Sequence, residues 1–291
     1  MPQLSIIIVS YNTASVTIQC IESILAAQKL HPCDLEILVV DNASTDDSVQ
    51  NIRALKQPSI RIFPQKENLG FGKANNTALA HAKGEFILFL NSDTLIDSLD
   101  LSSVIEYMRT HSTVGVLTVR VQLQNGELDP ASHRGFPTIW RSFTYFSRLE
   151  GLTRSVPVLN RMFGGYHLSH LDRSTEHEID SPSGAFFLTR KKILDTIGGF
   201  DEDFFMYGED LDLAKRIKEA GYRIVFYPHQ TITHLKGVSG IKNSDIKRST
   251  ATSRYFYEAM RIFYDKHYAP NHSTLVNTIV HWVISFKSRL V

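Results

Sequence analysis

Four short apolar runs, separated by stretches of helical periodicity, constrain most strongly what this chain folds into. The runs lie at residues 4–10, 35–40, 60–63 and 86–90, and helices are expected between them at 14–27, 48–56 and 73–82. Strands that are buried on both faces read as continuous apolar runs, and helices between such strands provide the crossovers that parallel pairing needs. The pattern predicts an α/β fold with a mainly parallel central sheet flanked by helices.

The rest of the chain is less regular. Residues 122–180 hold many glycines and prolines among basic and aromatic residues, which indicates loops and short helices that cover the sheet edge as a lid. A strand is expected at 183–188 and a short helix at 192–196. Two further helices, at 254–268 and 274–290, would form a C-terminal extension.

Composition narrows the class of protein. The net charge of +1 over 291 residues gives no electrostatic case for binding nucleic acid. Cys20 and Cys33 have no metal-ligand spacing and favour a reducing cytosol over a disulfide framework. The N-terminus reads as a strand and not as a signal peptide, and no window of roughly 18 apolar residues predicts a spanning helix. We expect a cytoplasmic protein, either free or peripheral at the inner face of the cytoplasmic membrane.

Polar side chains follow the predicted strands at the points where the strands end. Parallel sheets bind ligands along the edge formed by the carboxyl ends of their strands. A carboxylate such as Asp93 could hold a divalent cation and, through it, a diphosphate. Residues 41–46 and Asp93 also have a structural interpretation, because both are suited to capping the segments that follow them. The residues concerned are Tyr11, Asn12, Asp41, Asn42, Asn91, Ser92 and Asp93.

A segment with two glycines, residues 68–76 (NLGFGKANN), runs into the third predicted helix. Backbone N–H groups at such a helix start could cradle a phosphate. The segment lacks the third glycine and the preceding strand of a dinucleotide fingerprint, so alone it is a weak signal.

Acidic residues concentrate at one predicted helix start. Glu209, Asp210 and Asp212 occupy its first turn, and His234 comes just beyond the strand that follows the helix. Acids at this place oppose the helix dipole, and Asp212 could pair with Arg216 four positions on, which is an ordinary structural role. Apolar and aromatic residues precede the acids, however, and carboxylates beside apolar surface are candidates for raised pKa values and general-base catalysis.

Taken together and in this order, the motifs resemble family 2 glycosyltransferases, specifically their rhamnosyltransferase-like branch. The resemblance covers residues 4 to about 240 and implies a GT-A fold. It implies a glycosyltransferase domain at 1–240, with a sugar-nucleotide half at about 1–120 and an acceptor and catalytic half at about 121–240, and a C-terminal helical extension at 241–291. The motifs are VSYN, VVDNASTDDS, ENLGFGKANN, FLNSD, SGAFFLTRK, GGFDEDFFMYGEDLDLAKRIKEAGY and the final Pro228 to His234.

The resemblance also assigns roles to residues. It implies that Asp210 is the catalytic base, that Glu209 orients the acceptor or its loop, and that Asp93 and His234 hold Mg²⁺ or Mn²⁺. Asn91 replaces the first acid of the family's Asp-x-Asp motif, which leaves metal dependence open. The residues implied in donor binding are Tyr11, Asn12, Asp41, Asn42, Asn68, Gly70, Asn75, Asn76, Ser92 and Asp93.

The implied activity is inverting transfer of a sugar from a nucleotide-diphosphate donor. The resemblance favours dTDP-rhamnose as the donor and a saccharide or lipid-linked saccharide as the acceptor, in cell-surface polysaccharide synthesis. The alternative is a non-catalytic sugar-nucleotide or glycan-binding module on the same fold. A nucleotidyltransferase would need a basic, glycine-rich loop near the N-terminus, and VSYNTAS is not one.

The last predicted helix has two open interpretations. Trp282 and Phe286 beside Lys287 and Arg289 suit an amphipathic helix at a membrane surface. A helix that packs on the domain or in a homodimer interface would carry the same pattern.

Overall fold

In the computed structural model of this chain, residues 2–236 and 246–289 are described, with side chains from residue 252 onward in the second range. Within these residues, nine strands form one sheet. The strands are β1 (Leu4–Ser10), β2 (Leu35–Asp41), β3 (Ile60–Pro64), β4 (Phe86–Asn91), β5 (Thr94–Leu95), β6 (Val114–Leu123), β7 (His177–Glu178), β8 (Phe187–Arg190) and β9 (Arg223–His234).

Helices cover both faces of the sheet and extend beyond it at the C-terminal end. They are α1 (Ala14–Leu30), α2 (Ser48–Ala54), α3 (Phe71–Leu79), α4 (Leu101–Thr110), α5 (Ile139–Phe146), α6 (Leu149–Leu152), α7 (Pro157–Phe163), α8 (Lys191–Ile197), α9 (Glu209–Glu219), α10 (Ile246–His267) and α11 (Thr274–Ser288). None of them, over the range described, is long and apolar enough to cross a membrane.

The strand order is β3-β2-β1-β4-β8-β6-β9-β5, and β7 pairs with β9. The first four strands are parallel, as the sequence predicts. The second half is mixed, because β8 runs antiparallel to both β4 and β6. The chain leaves β6 at the carboxyl edge, and after β7 has paired with the first half of β9 it re-enters the sheet at the carboxyl edge, where Phe187 pairs with Phe89. The strand β8 therefore runs in the opposite direction.

Two apolar layers form the core, one on each face of the sheet. Alternate residues of β1 face opposite ways: Ile6 and Ile8 pack with α1, α2 and α4, whereas Ile7 packs with α3, α8 and α9. All three side chains are fully buried. This two-sided burial is why the strands read as continuous apolar runs in the sequence.

Most of the predicted elements are confirmed. The first four strands and the three helices between them lie within about three residues of their predicted bounds. The helix α4 and the long strand β6 were not among the predicted elements. The last residue predicted for the final helix, 290, and the predicted domain boundary at 240 lie outside the described residues.

Two local predictions were wrong. The strand expected at 183–188 begins only at Phe187, because Phe186 N–H donates to the Ser183 carbonyl and closes a turn before it. His234 is the last residue of β9 and pairs with Thr94 of β5, so it does not lie beyond the strand. The region 122–180 holds the expected loops and the short helices α5 to α7.

Candidate active site

A cavity of about 820 Å³ opens at the carboxyl edge of the strands. Its walls come from the ends of the parallel strands, from the segment 129–147 and from α9, α10 and α11. The cavity brings together predicted site residues that are far apart in the sequence. Those on its walls are Tyr11, Asn42, Asn68, Gly70, Ser92, Glu209, Asp210 and His234.

The glycine loop, residues 68–76, is held in shape by two asparagine side chains. The Asn42 side-chain carbonyl accepts from Leu69 N at 2.8 Å, and its amide donates to Asn68 Oδ1 at 2.8 Å. Asn68 Oδ1 also accepts from Gly70 N at 3.0 Å. Both side chains therefore fix the backbone of the loop at the cavity wall.

Gly70 lets the glycine loop approach the segment before α9. Its φ of +80° suits glycine, and a Cβ at this position would lie 2.3 Å from the Phe205 carbonyl oxygen. The same oxygen accepts from Phe71 N at 2.9 Å. The two segments are thus joined by a backbone hydrogen bond that only glycine at position 70 leaves room for.

Asn75 and Asn76 are not on the cavity wall, and the structure engages both in the scaffold. Asn75 donates to the Phe71 carbonyl at 2.9 Å. Asn76 donates to the Phe200 carbonyl at 2.8 Å and accepts from Phe200 N at 2.9 Å. Asn76 therefore ties α3 to the segment that leads to α9.

Asn12 and Asp41 lie just behind the wall. Asn12 has a φ of +53° and accepts from Thr45 N at 2.7 Å. Asp41 Oδ2 accepts from Ser44 N at 3.1 Å, while its buried Oδ1 has no hydrogen-bond partner within the described residues. A buried carboxylate oxygen without a donor is costly, and it would be satisfied by an N–H or O–H group of a bound ligand.

Asp93 and His234 come together, as predicted, with a third acid that the sequence did not reveal. His234 Nε2 lies 3.0 Å from Asp93 Oδ1, and its Nδ1 lies 2.7 Å from Asp129 Oδ2. Asp129 also accepts from Lys236 Nζ at 2.9 Å. Burial alone would lower the pKa of His234, but the hydrogen bonds to Asp129 and Asp93 outweigh it and raise the pKa to about 9.

Asp93 and His234 supply ligand types that a divalent cation accepts, a carboxylate oxygen and an imidazole nitrogen. A histidine whose second nitrogen is held by a carboxylate is typical of metal ligands, and here Asp129 supplies that carboxylate. No group of three or more His, Cys, Asp or Glu side chains in the described part of the chain is arranged to hold a metal by itself. Mg²⁺ and Mn²⁺ sites that use one or two protein ligands complete their shell with phosphate oxygens and water. The proton on His234 must leave before the ring can ligate.

The two predicted catalytic acids differ in their surroundings. Asp210 Oδ2 forms an ion pair with Arg134 Nη2 at 2.7 Å, and both side chains are 11% exposed. Glu209 is more deeply buried, and its Oε2 has no hydrogen-bond partner among the residues described. Burial, followed by the negative charge of Asp210, raises the pKa of Glu209 to about 8.

Arg134 is the principal site residue that the sequence did not identify. Besides Asp210 it contacts the Pro182 carbonyl, to which Nη2 donates at 2.8 Å. Its own Nε is buried with no hydrogen-bond partner in the ranges described. The one sequence signal for it is a basic residue inside the glycine- and proline-rich region at 122–180.

Asp212 has the structural role that the sequence allowed for it. It is fully buried and lies 2.7 Å from Arg216 Nε. Its other oxygen contacts His267 Nε2 at 2.8 Å and Lys266 Nζ at 2.7 Å. Asp212 therefore fastens α9, which carries Glu209 and Asp210, to α10.

Residues 5–198 match the family model described as glycosyl transferase family 2, and residues 171–238 match one described as the N-terminal domain of galactosyltransferase. The chain belongs to glycosyl transferase family 2. It is 26% identical over 216 residues to an N-acetylglucosaminyl-diphospho-decaprenol L-rhamnosyltransferase of Mycobacterium tuberculosis, covering 70% of this chain and 68% of that protein. It is 28% identical over 166 residues to the rhamnosyltransferase WbbL of Escherichia coli, covering 55% and 58% of the two.

Solved structures show the same fold. The mannosyltransferase PcManGT of Pyrobaculum calidifontis, in complex with GDP-Man and Mn²⁺, matches with a TM-score of 0.59 at 20% identity. The match covers 91% of this chain and 64% of that one. TarS 1-349 of S. aureus, in complex with UDP-GlcNAc, matches with a TM-score of 0.60 at 22% identity, covering 94% and 69%. The predicted GT-A fold and the glycosyltransferase class are confirmed.

Proposed function

We propose that this enzyme transfers rhamnose, with inversion, from a nucleotide-diphosphate donor to a saccharide or lipid-linked saccharide. The observation that carries the proposal is one cavity whose wall holds the Arg134–Asp210 ion pair and also His234, the partner of Asp93. Such a cavity offers a base for an acceptor hydroxyl and a place for a diphosphate leaving group.

Asp210 is the base in this proposal. Its Oδ2 accepts from Arg134 and its Oδ1 accepts from Leu211 N at 2.7 Å. Each carboxylate oxygen has a second lone pair, so the acceptor hydroxyl can bind without displacing either partner. As the hydroxyl oxygen attacks the anomeric carbon, its proton passes to Asp210 and the bond to the diphosphate breaks. General-base assistance of this kind contributes about 10²–10⁴-fold to the rate.

Glu209 acts beside Asp210 as a positioning residue. With a pKa near 8 it carries its proton at neutral pH, so it is able to donate a hydrogen bond to an acceptor oxygen and does not repel Asp210. A neutral carboxyl group in the wall orients an acceptor oxygen toward the base.

The diphosphate half uses Asp93 and His234. These two residues would hold Mg²⁺ or Mn²⁺, which stabilises negative charge on a leaving diphosphate when it is bound. Asp129 orients the His234 ring from behind, and Lys236 adds a positive charge on the cavity wall. The solved mannosyltransferase relative that is named with Mn²⁺ supports a divalent cation here.

The donor and the acceptor are proposed from relatives. Two relatives are named as rhamnosyltransferases, and the name of the mycobacterial one specifies an N-acetylglucosaminyl-diphospho-decaprenol acceptor. These names favour rhamnose as the sugar and a lipid-linked saccharide as the acceptor. The family resemblance of the motifs adds dTDP as the nucleotide of the donor that we propose.

The test combines donor binding with turnover. Thermal-shift measurements with a panel of nucleotide-sugars, with and without Mg²⁺ or Mn²⁺, should show the largest stabilisation with dTDP-rhamnose and metal. Asp210→Asn should reduce transfer by about 10²–10⁴-fold and keep the donor-induced shift, because the base does not bind the donor. Asp195→Asn, which changes an exposed aspartate on α8, is the matched control.

Three results would contradict parts of the proposal. Turnover at the wild-type rate in Asp210→Asn would contradict the assignment of Asp210 as the base. Donor binding with no transfer and no slow donor hydrolysis in the wild type would favour the binding-module alternative. If only a uridine- or guanosine-diphosphate sugar stabilised the protein, that nucleotide-sugar would replace dTDP-rhamnose as the proposed donor.

A further inference from the structure

One surface of the protein gathers exposed large apolar side chains from two separate segments. Surface apolar residues normally occur singly, whereas contiguous apolar patches mark interaction sites. Here Val158 is 76% exposed, Met162 55% and Trp282 65%. We call this surface the apolar face, and it comprises the exposed apolar side chains of residues 139–163 and of α11, among them Trp140, Phe143, Val158, Met162, Trp282 and Phe286.

The two segments form one continuous surface at the mouth of the active-site cavity. Lys287 Nζ of α11 lies 4.8 Å from the centre of the Phe146 ring of α5. Residues from both helices line the cavity, including Phe143 of α5 and Val283 of α11. The α5 and α11 parts of the apolar face therefore border the cavity that contains Asp210.

Within the two segments themselves, the exposed charged side chains are all basic. Glu150 is the one acidic residue in the segments 139–163 and 274–289, and it is buried and bound to His167 N at 3.1 Å. The basic residues that reach the surface of these segments are Arg148, Arg154, Arg161, Lys287 and Arg289. An apolar surface with basic residues is complementary to a bilayer that contains anionic lipid.

We propose that the apolar face docks on an anionic lipid bilayer, so that the active-site cavity opens at the membrane surface. A second copy of the chain is disfavoured as the occupant, because the same face on two copies would bring their basic side chains together. Docking extends the proposed function and rests on it in one respect only, the identity of the acceptor. A lipid-linked saccharide would then meet the cavity mouth without leaving the bilayer.

The wild-type protein carries its own probe for docking. The chain has two tryptophans, and both Trp140 and Trp282 lie exposed on the apolar face. Adding phosphatidylglycerol vesicles should shift tryptophan emission to the blue, and brominated phosphatidylglycerol should quench it. Pure phosphatidylcholine vesicles should bind at least tenfold more weakly, because each basic residue near an anionic surface contributes about fivefold to partitioning.

Variants that introduce negative charges test whether the apolar face is the surface that binds the vesicles. Val158→Asp with Phe286→Glu should lower the fraction of protein that co-sediments with phosphatidylglycerol vesicles by at least tenfold. Leu30→Glu is the matched control, since Leu30 is 65% exposed at the end of α1 and belongs to neither segment. Thermal unfolding of each variant establishes that it folds, and the wild-type fluorescence result stands without any variant.

Three outcomes would overturn the docking proposal. They are no spectral change of the wild type with anionic vesicles, equal loss of binding in Leu30→Glu, and a dimer in light scattering that the double variant dissociates. Vesicle binding is measured without any nucleotide-sugar. A failure of donor turnover would therefore refute the proposed function and leave the docking result standing, and the reverse also holds.

Discussion

Replacing Glu209 by glutamine tests the electrostatics of the site through stability alone. Glu209 is buried, and its pKa is raised from 4.5 to about 8. Between these values the unfolded chain has lost the proton while the folded protein keeps it. A rise in pH therefore favours unfolding across this window, and glutamine, which does not titrate, removes the effect.

The size of the effect follows from the linkage. Each pH unit within the window lowers the free energy of unfolding of the wild type by about 1.4 kcal/mol relative to Glu209→Gln. From pH 5 to pH 8 the difference grows to about 4 kcal/mol. For a chain of this size, the corresponding change in melting temperature is about 2–4 °C per pH unit.

The assay is thermal unfolding by circular dichroism at pH 5, 6, 7 and 8 for both proteins. Any fixed cost of the glutamine amide shifts its whole curve and leaves the pH slope unchanged, so the slope is the readout. Glu106→Gln, on the exposed side of α4, should follow the wild-type slope. Parallel curves for the wild type and Glu209→Gln would refute the argument that burial raises this pKa.

Two further substitutions have matched controls in the chain. Gly70→Ala should cost about 1–3 kcal/mol in backbone strain, and its methyl group should also push against the Phe205 carbonyl. Gly126 has a φ of +81° with open space around it, so Gly126→Ala should show the backbone strain alone. Urea unfolding measures both losses. Asp212→Asn removes the fully buried carboxylate charge that pairs with Arg216 and Lys266 and should cost about 3 kcal/mol, as measured by urea midpoints. Asp195→Asn, at an exposed pair, should cost less than about 1 kcal/mol. Equal losses within either pair would contradict the corresponding contact.

The parallel half of the fold could be predicted because its signals are local. Each of the first four strands is a short run whose residues are buried on both faces, so β-branched and aliphatic side chains mark it directly. The predicted strand ends were therefore enough to place Asn42, Ser92 and Asp93 at one edge of the sheet. The acids at the start of α9 were visible for the same reason.

The partners of these residues were not predictable from local patterns. Arg134 lies 76 positions from Asp210, and Asp129 lies 105 positions from His234. Both come from the segment that leaves β6 and covers the sheet edge. No periodicity in the sequence predicts which residue at the edge such a loop will contact. The sequence could name Asp210 and His234 as candidates, but only the fold shows what holds each of them.

The contact between the glycine loop and the segment before α9 has a consequence for engineering. Phe71 N donates to the Phe205 carbonyl, and the Asn76 side chain makes two hydrogen bonds with the Phe200 backbone. In a chimera, residues 68–76 and 200–209 are therefore a single exchangeable unit. A loop with another residue at position 76, transplanted alone from a relative, would leave the Phe200 N–H and carbonyl without their side-chain partner, so the two segments have to be exchanged together.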